Sequence, residues 1–257
     1  MNRPLLILLA LLACAPAPLL AAAAPPPPPP TACPVPDEAL PPAPHLPHTV
    51  RALRRHQPLR IVAIGAGATA GSGLPLDQAF PARLAARLMA AYPGSAITLL
   101  NKGRLGESTA TMADTLRSQV LPEHPTLVLW EAGTVESVTS ADPQQMAEGM
   151  LGALDRLRAA QADVILIDMQ YSPAAAAVID FAPYLEALHI VSESAEVPMF
   201  DRFAAMRAWT EEGQIDLDAA SGDHHHAQAV RAEDCVAAGL TALIARATQM
   251  PAPDHKP

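Results

Sequence analysis

The sequence predicts an α/β protein, a doubly wound sandwich with helices on both faces of a parallel sheet. Five short apolar runs alternate with segments whose apolar residues recur at helical spacing. Most of those runs are continuously apolar, as strands covered on both faces must be. The chain has 257 residues, 50% of them hydrophobic, enough to bury one sizeable core.

The elements follow in order. The first strand is Arg60–Ile64, and Phe80, Leu84 and Leu88 mark the helix after it. The second and third strands are Ala96–Leu100 and Thr126–Trp130. Met146, Met150, Leu154 and Leu157 then recur at helical spacing behind Asp142-Pro143. That dipeptide supplies an N-cap carboxylate and a proline at the first helical position, where a missing N–H costs nothing. The methionine stripe reads as core packing rather than a cofactor box. Asp163–Ile167 and the short Val197–Phe200 complete the strands, and Val236, Leu240, Leu243 and Ile244 mark the last helix. No internal repeat is present.

This domain spans residues 58–248. Residues 1–24 read as an export signal, with Arg3 before an apolar run, Leu5–Leu12, too short to span a bilayer. Ala21-x-Ala23 is a small-residue cleavage pattern. Leu11-Leu12-Ala13-Cys14 resembles a bacterial lipoprotein box, which would make Cys14 a lipid anchor and the only membrane attachment. Residues 25–57 read as a proline-rich arm and 249–257 as an unstructured tail. The expected location is the bacterial envelope, secreted or periplasmic. Removal or lipidation of Cys14 leaves Cys33 and Cys235, which we expect to form a disulfide tying the arm to the last helix. The net charge of −9 disfavours nucleic acid as a partner. The one basic cluster, Arg51, Arg54, Arg55 and His56, reads as the solvated face of a short helix before the domain.

In doubly wound folds the ligand crevice lies beyond the C-terminal ends of the strands. Four segments should therefore meet there: Gly65–Gly71, Asn101–Glu107, Gly133–Glu136, and Asp223–His226 before the last helix. The first is an apolar strand running into a small-residue loop, where a nucleophile would sit, yet its tip has no Ser, Asp or Lys.

Together the four segments resemble the sequence blocks of the GDSL/SGNH esterase–lipase superfamily. Gly65-Ala66-Gly67-Ala68-Thr69 stands where that family has Gly-Asp-Ser or Gly-Ser-Ser followed by x-Thr. Asn101-Lys102-Gly103-Arg104-Leu105-Gly106-Glu107 places Gly106 at an oxyanion-hole glycine. Gly133-Thr134-Val135-Glu136 stands for Gly-x-Asn-Asp, and Asp223-His224-His225-His226 for Asp-x-x-His. The resemblance covers about residues 58–247. It implies a flavodoxin-like hydrolase fold with a five-stranded parallel sheet. It also implies ester hydrolysis, in which a Ser attacks, a His takes its proton and an Asp orients the His. The oxyanion would be held by two backbone N–H groups and the Asn amide.

Carried over residue by residue, the machinery is incomplete. Gly67 takes the nucleophile's place and has no hydroxyl; Val135 takes the Asn's place and cannot donate. Gly106, Asp223 and His226 remain. The resemblance thus implies a degenerate site, a pseudoenzyme whose old crevice binds a small-molecule or glycan ester ligand or an envelope partner. Gly67, Gly106 and Val135 would line the binding position. The alternative is an ester hydrolase, acting for instance on acylated glycans. It would use a water activated by His226 and Asp223, with Glu131 or Glu136 adding a carboxylate, or a relocated hydroxyl nucleophile at Thr69 or Ser72. Thr69, however, matches a Thr of active family members, and its hydroxyl is expected to cap the following turn. His224-His225-His226 does not make a metal site, because adjacent residues point apart and no second ligand motif exists. No cofactor is expected. Trp130 is expected in the core rather than stacked on a sugar, and Gln170 and Tyr171 are either substrate contacts or loop anchors.

Overall fold

Two apolar faces per strand organise the fold. In β1 (Leu59–Ile64), Leu59, Ile61 and Ala63 point to one side of the sheet and Val62 and Ile64 to the other. β3 (Leu127–Glu131) and β4 (Asp163–Ile167) divide their residues the same way. This is the period of two expected when both faces are covered. With β2 (Ile97–Asn101) and β5 (Met199–Phe200) they form a five-stranded, all-parallel sheet in the order β2-β1-β3-β4-β5. The order reverses between β1 and β3, so the crevice expected in such sheets opens over the ends of these two strands.

The computed structural model describes residues 33–71, 73–218 and 222–249. The export signal, Cys14, residues 25–32, Ser72 and residues 250–257 lie outside the described residues.

One face is covered by α1 (Pro47–Arg54), α2 (Phe80–Ala91), α8 (Arg202–Glu211) and α9 (Gly222–Gln249). Phe80, Leu84 and Leu88 of α2 are buried there with Val236, Leu240, Leu243 and Ile244 of α9. The other face carries α3 (Thr109–Thr115), α5 (Pro143–Ala159) and α7 (Ala182–Ala195). Short helices α4 (Thr134–Thr139) and α6 (Pro173–Ala176) lie in the loops after β3 and β4. The stripe Met146, Met150, Leu154 and Leu157 is buried as core, and burial of each such side chain contributes about 1.5–3 kcal/mol. Asp142 accepts from the Gln144 N–H at 2.9 Å and Pro143 opens the helix, as the sequence predicts. Trp130 is fully buried in this layer.

The arm assigned to residues 25–57 needs correction in its described part. Ala39, Leu40, Leu46, Ala52 and Leu53 are buried in the same core as α9, so residues 33–57 belong to the domain. Proline density gave this stretch no hydrophobic period to read, yet an extended chain can bury isolated apolar residues. Long-range contacts fasten it, among them the three that follow. Cys33 and Cys235 form the expected disulfide, with Cα atoms 5.4 Å apart. Pro34 O accepts from the Trp209 indole at 2.7 Å. Asp163 Oδ2, at the start of β4, accepts from the Thr49 N–H at 2.6 Å, capping an α1 whose own N-cap side chain makes no such bond.

Candidate active-site crevice

The loop after β1 is built on a buried carboxylate. Glu131, the last residue of β3, is 1% exposed. Its Oε2 accepts from the Thr69 N–H at 2.9 Å and the Thr69 hydroxyl at 2.5 Å, and its Oε1 from Arg202 Nη2 at 3.0 Å. Burial alone would raise the Glu131 pKa, but the Arg202 charge and the Thr69 hydrogen bonds outweigh it and hold the carboxyl below its ordinary range. The expectation that Thr69 caps the turn is therefore corrected: its hydroxyl joins the loop to β3. Gly65 makes this approach possible, since a Cβ there would lie 2.2 Å from Thr69 Oγ1 and 2.7 Å from Glu131 Cβ.

The loop after β2 packs on the same turn. Asn101 Nδ2 donates to Thr69 O at 2.7 Å, its Oδ1 accepts from the Gly103 N–H, and the Arg104 N–H donates to Gly65 O at 2.9 Å. Glu136 joins the loop after β3 to this arrangement. It is buried in α4 and accepts from the Thr109 N–H at 2.7 Å and hydroxyl at 3.0 Å, at the start of α3. Gly133 precedes it with φ +88°, a left-handed conformation that favours glycine. Glu131 and Glu136 are thus saturated by loop backbone and hydroxyl groups. Neither is a free carboxylate facing the crevice, which removes them from the water-activation role considered above.

Two further acids lie around Arg202. Asp168, just beyond β4, accepts from the Phe203 N–H at 2.9 Å and so caps α8; complete burial pushes it up to about 8. Glu233 of α9 accepts from the Phe80 N–H at 2.7 Å at the start of α2; burial pushes it up to about 7. Sequence reasoning gave no role to Arg202, Asp168 or Glu233. Isolated acids and a single Arg carry no spacing signal, because their partners lie 35 to 153 residues away.

The expected site residues are placed as follows. Gly67 sits half-buried at the tip of the first loop, outside the left-handed region. Gly106 is exposed with φ +72°, and a Cβ there would meet nothing within 4 Å. The N–H groups of Gly67 and Gly106 donate to no group among the described residues. Val135 is half-buried in the first turn of α4 against the core. Asp223 and His226 do not precede the last helix but lie in its first turn, both exposed. A carboxylate near a helix N-terminus is favourable, and the alanine-rich sequence that follows extends the helix back over the motif. The two side chains stand one turn apart and form neither a hydrogen bond nor an ion pair with each other. His224 instead meets Asp216 at 3.2 Å. Tyr171 packs edge-on against Phe203, ring centres 5.2 Å apart, and so anchors its loop; Gln170 is exposed. Among the described residues no cluster of His, Cys, Asp and Glu could hold a metal ion, and no helix is long and apolar enough to cross a membrane.

The sheet order, the parallel strands and the loops gathered beyond β1 to β3 are those of an esterase-like SGNH-hydrolase fold. Solved structures agree. TesA matches with a TM-score of 0.58 and 21% identity over 72% of this chain and 99% of that one. A two-domain esterase active on acetylated mannans, CEX, matches with a TM-score of 0.67 and 13% identity over 85% of this chain and 58% of that one. Axe2, an acetylxylan esterase from Geobacillus stearothermophilus, matches with a TM-score of 0.61 and 16% identity over 72% and 94% of the two chains. Two Axe2 structures are catalytic mutants, one with a serine and one with a histidine replaced by alanine. The chain belongs to the non-GDSL lipase-like family, whose model matches residues 32–250. No curated protein sequence matches it.

Proposed function

We propose that this protein is an exported pseudoenzyme of the carboxylic-ester hydrolase class, which binds a small ligand in the crevice and does not cleave it. One observation carries the reading. The loops of an esterase site are held in place by buried Glu131 and Glu136, but Gly67 and Val135 bring neither a hydroxyl nor an amide to it. Loss of one oxyanion donor costs about 100- to 1,000-fold in rate, and loss of the nucleophile leaves only residual acceleration. The Cys33–Cys235 disulfide supports export to an oxidising compartment.

The test is an aryl ester assay of the parent, Gly67→Ser, Val135→Asn and the double variant. The parent should be silent, and the double variant should gain a turnover that His226→Ala abolishes. Parent activity that His226→Ala removes would overturn the reading. That outcome belongs to a second reading, a water activated by His226.

A further inference from the structure

The stretch from residue 39 to residue 76 contains no aspartate or glutamate, in a chain whose net charge is −9. It holds Arg51, Arg54, Arg55 and Arg60, and the first three lie on α1 and its C-terminal cap. Their spacing puts them on one side of the helix, and all three are exposed. Thr49, Ala52 and Leu53 are buried on the other side.

The helix is pinned at both ends to the N-terminal edge of the sheet. Near its start, the Thr49 N–H donates to Asp163 Oδ2 at the head of β4. At its end, four residues lead into Leu59, which opens β1. α1 therefore lies across the pole opposite the crevice, with Ala52 and Leu53 on the core and its arginines outward. Arg54 has a duty inside the fold, donating from Nη2 to Thr248 O in the last turn of α9 at 2.6 Å. Arg51 and Arg55 meet no carboxylate among the described residues, whereas Arg83, Arg87, Lys102 and Arg246 each do. Acids around the start of α1 face other groups. Asp163 holds Thr49, Asp155 meets Arg158 at 3.3 Å, and Glu196 lines a cavity with His45, His48 and Arg158. The dipole of α1 favours a cation at its end, but Arg51 and Arg55 are a like-charge pair at i, i+4, which opposes the helix.

We infer that this pole docks on a membrane surface bearing anionic phospholipid head groups. Three guanidinium groups along two turns of one helix match a plane of closely spaced phosphates; a single anionic polymer would need a longer basic track. Docked this way, the crevice opens away from the bilayer. The contact is independent of a lipid at Cys14 and of what the crevice holds.

Co-sedimentation with vesicles tests this, using the purified protein freed of its export signal. The vesicles are phosphatidylcholine, alone or with about one-third phosphatidylglycerol. The protein should bind those with phosphatidylglycerol and leave them as NaCl rises from about 0.05 M to about 0.5 M. Each arginine near such a surface strengthens binding about fivefold, so Arg51→Gln/Arg55→Gln should bind about 25-fold more weakly with an unchanged thermal melt. Arg117→Gln/Arg207→Gln removes the same charge from other exposed positions and should bind as the parent does. Absence of binding, equal binding to both vesicles, or equal losses in the two double variants overturns the inference. Tighter binding of soluble polygalacturonate than of the vesicles, at the same concentration of charge, also overturns it and assigns the face to an anionic polysaccharide.

Discussion

Replacing Arg202 by Met should unsettle the crevice more than any change at its rim. Arg202 and Glu131 are each 1% exposed and meet at 3.0 Å. Removing the guanidinium leaves a buried carboxylate whose remaining support is the Thr69 N–H and hydroxyl and a 3.4 Å contact from the Thr134 hydroxyl. Breaking a buried pair from one side costs about 3–5 kcal/mol, because the surviving charge is uncompensated. For a domain of this size that is a fall in Tm of roughly 6–20 °C. The loss should depend on pH in a defined direction. Without Arg202, burial dominates and the Glu131 pKa moves above its unfolded value. The folded variant then holds a proton that the unfolded chain has released, so its deficit grows as pH rises from 5 to 8. Adding Glu131→Gln removes the buried charge while an amide oxygen can still accept from Thr69, so the double variant should recover most of the stability. Urea unfolding of the four proteins at pH 5 and pH 8 gives the coupling energy. A loss below about 1 kcal/mol for Arg202→Met, or a double variant no more stable than that single, would refute the view that the pair holds the loop.

Two other outcomes follow from the same structure. Asp168, pushed up to about 8 by burial, is protonated in the fold and ionised in the unfolded chain between its ordinary value and that pH. Stability from this group is therefore complete at acid pH and lost as pH rises towards 8; Asp168→Asn should flatten the slope by up to about 1.4 kcal/mol per pH unit, measured by urea unfolding across pH 5–8. Reducing Cys33–Cys235, which spans 202 residues, should cost about 2–5 kcal/mol, read as a lower urea midpoint in dithiothreitol that a Cys33→Ala/Cys235→Ala variant reproduces without reductant.

The sheet was legible because burial on both faces leaves continuous apolar runs. Asp163–Ile167 is a strand at the expected residues, and the other four fall within two residues of expectation at either end. The fifth strand shrinks to Met199–Phe200 because it pairs only with the end of β4. The crevice segments after β1, β2 and β3 were legible for a different reason: each begins where an apolar run stops. What stayed hidden is everything set by a partner far along the chain. The sequence shows Glu131 and Glu136 as acids in a loop that could serve water activation; only their Thr69 and Thr109 donors, 62 and 27 residues away, show them to be spent. The start of α9 was misplaced because Asp-x-x-His suggested a loop, whereas local propensity continues the helix to Gly222.

On the pseudoenzyme reading proposed above, the same division accounts for a site that keeps its shape without its chemistry. The groups that position the loops point inward: Glu131 to Thr69, Glu136 to Thr109, Asp168 to Phe203, Glu233 to Phe80. Each joins a carboxylate to a backbone N–H of another element, and a buried N–H left without a partner costs about 1–3 kcal/mol. Gly67 lies in the loop after β1, and Val135 lies in the first turn of α4 against the core. None of those contacts runs through the side chain of Gly67 or Val135, so on the pseudoenzyme reading proposed above a hydroxyl and an amide can be absent there while the contacts stay intact. Restoring both side chains on an intact scaffold therefore measures how much catalytic geometry the inward network alone has preserved.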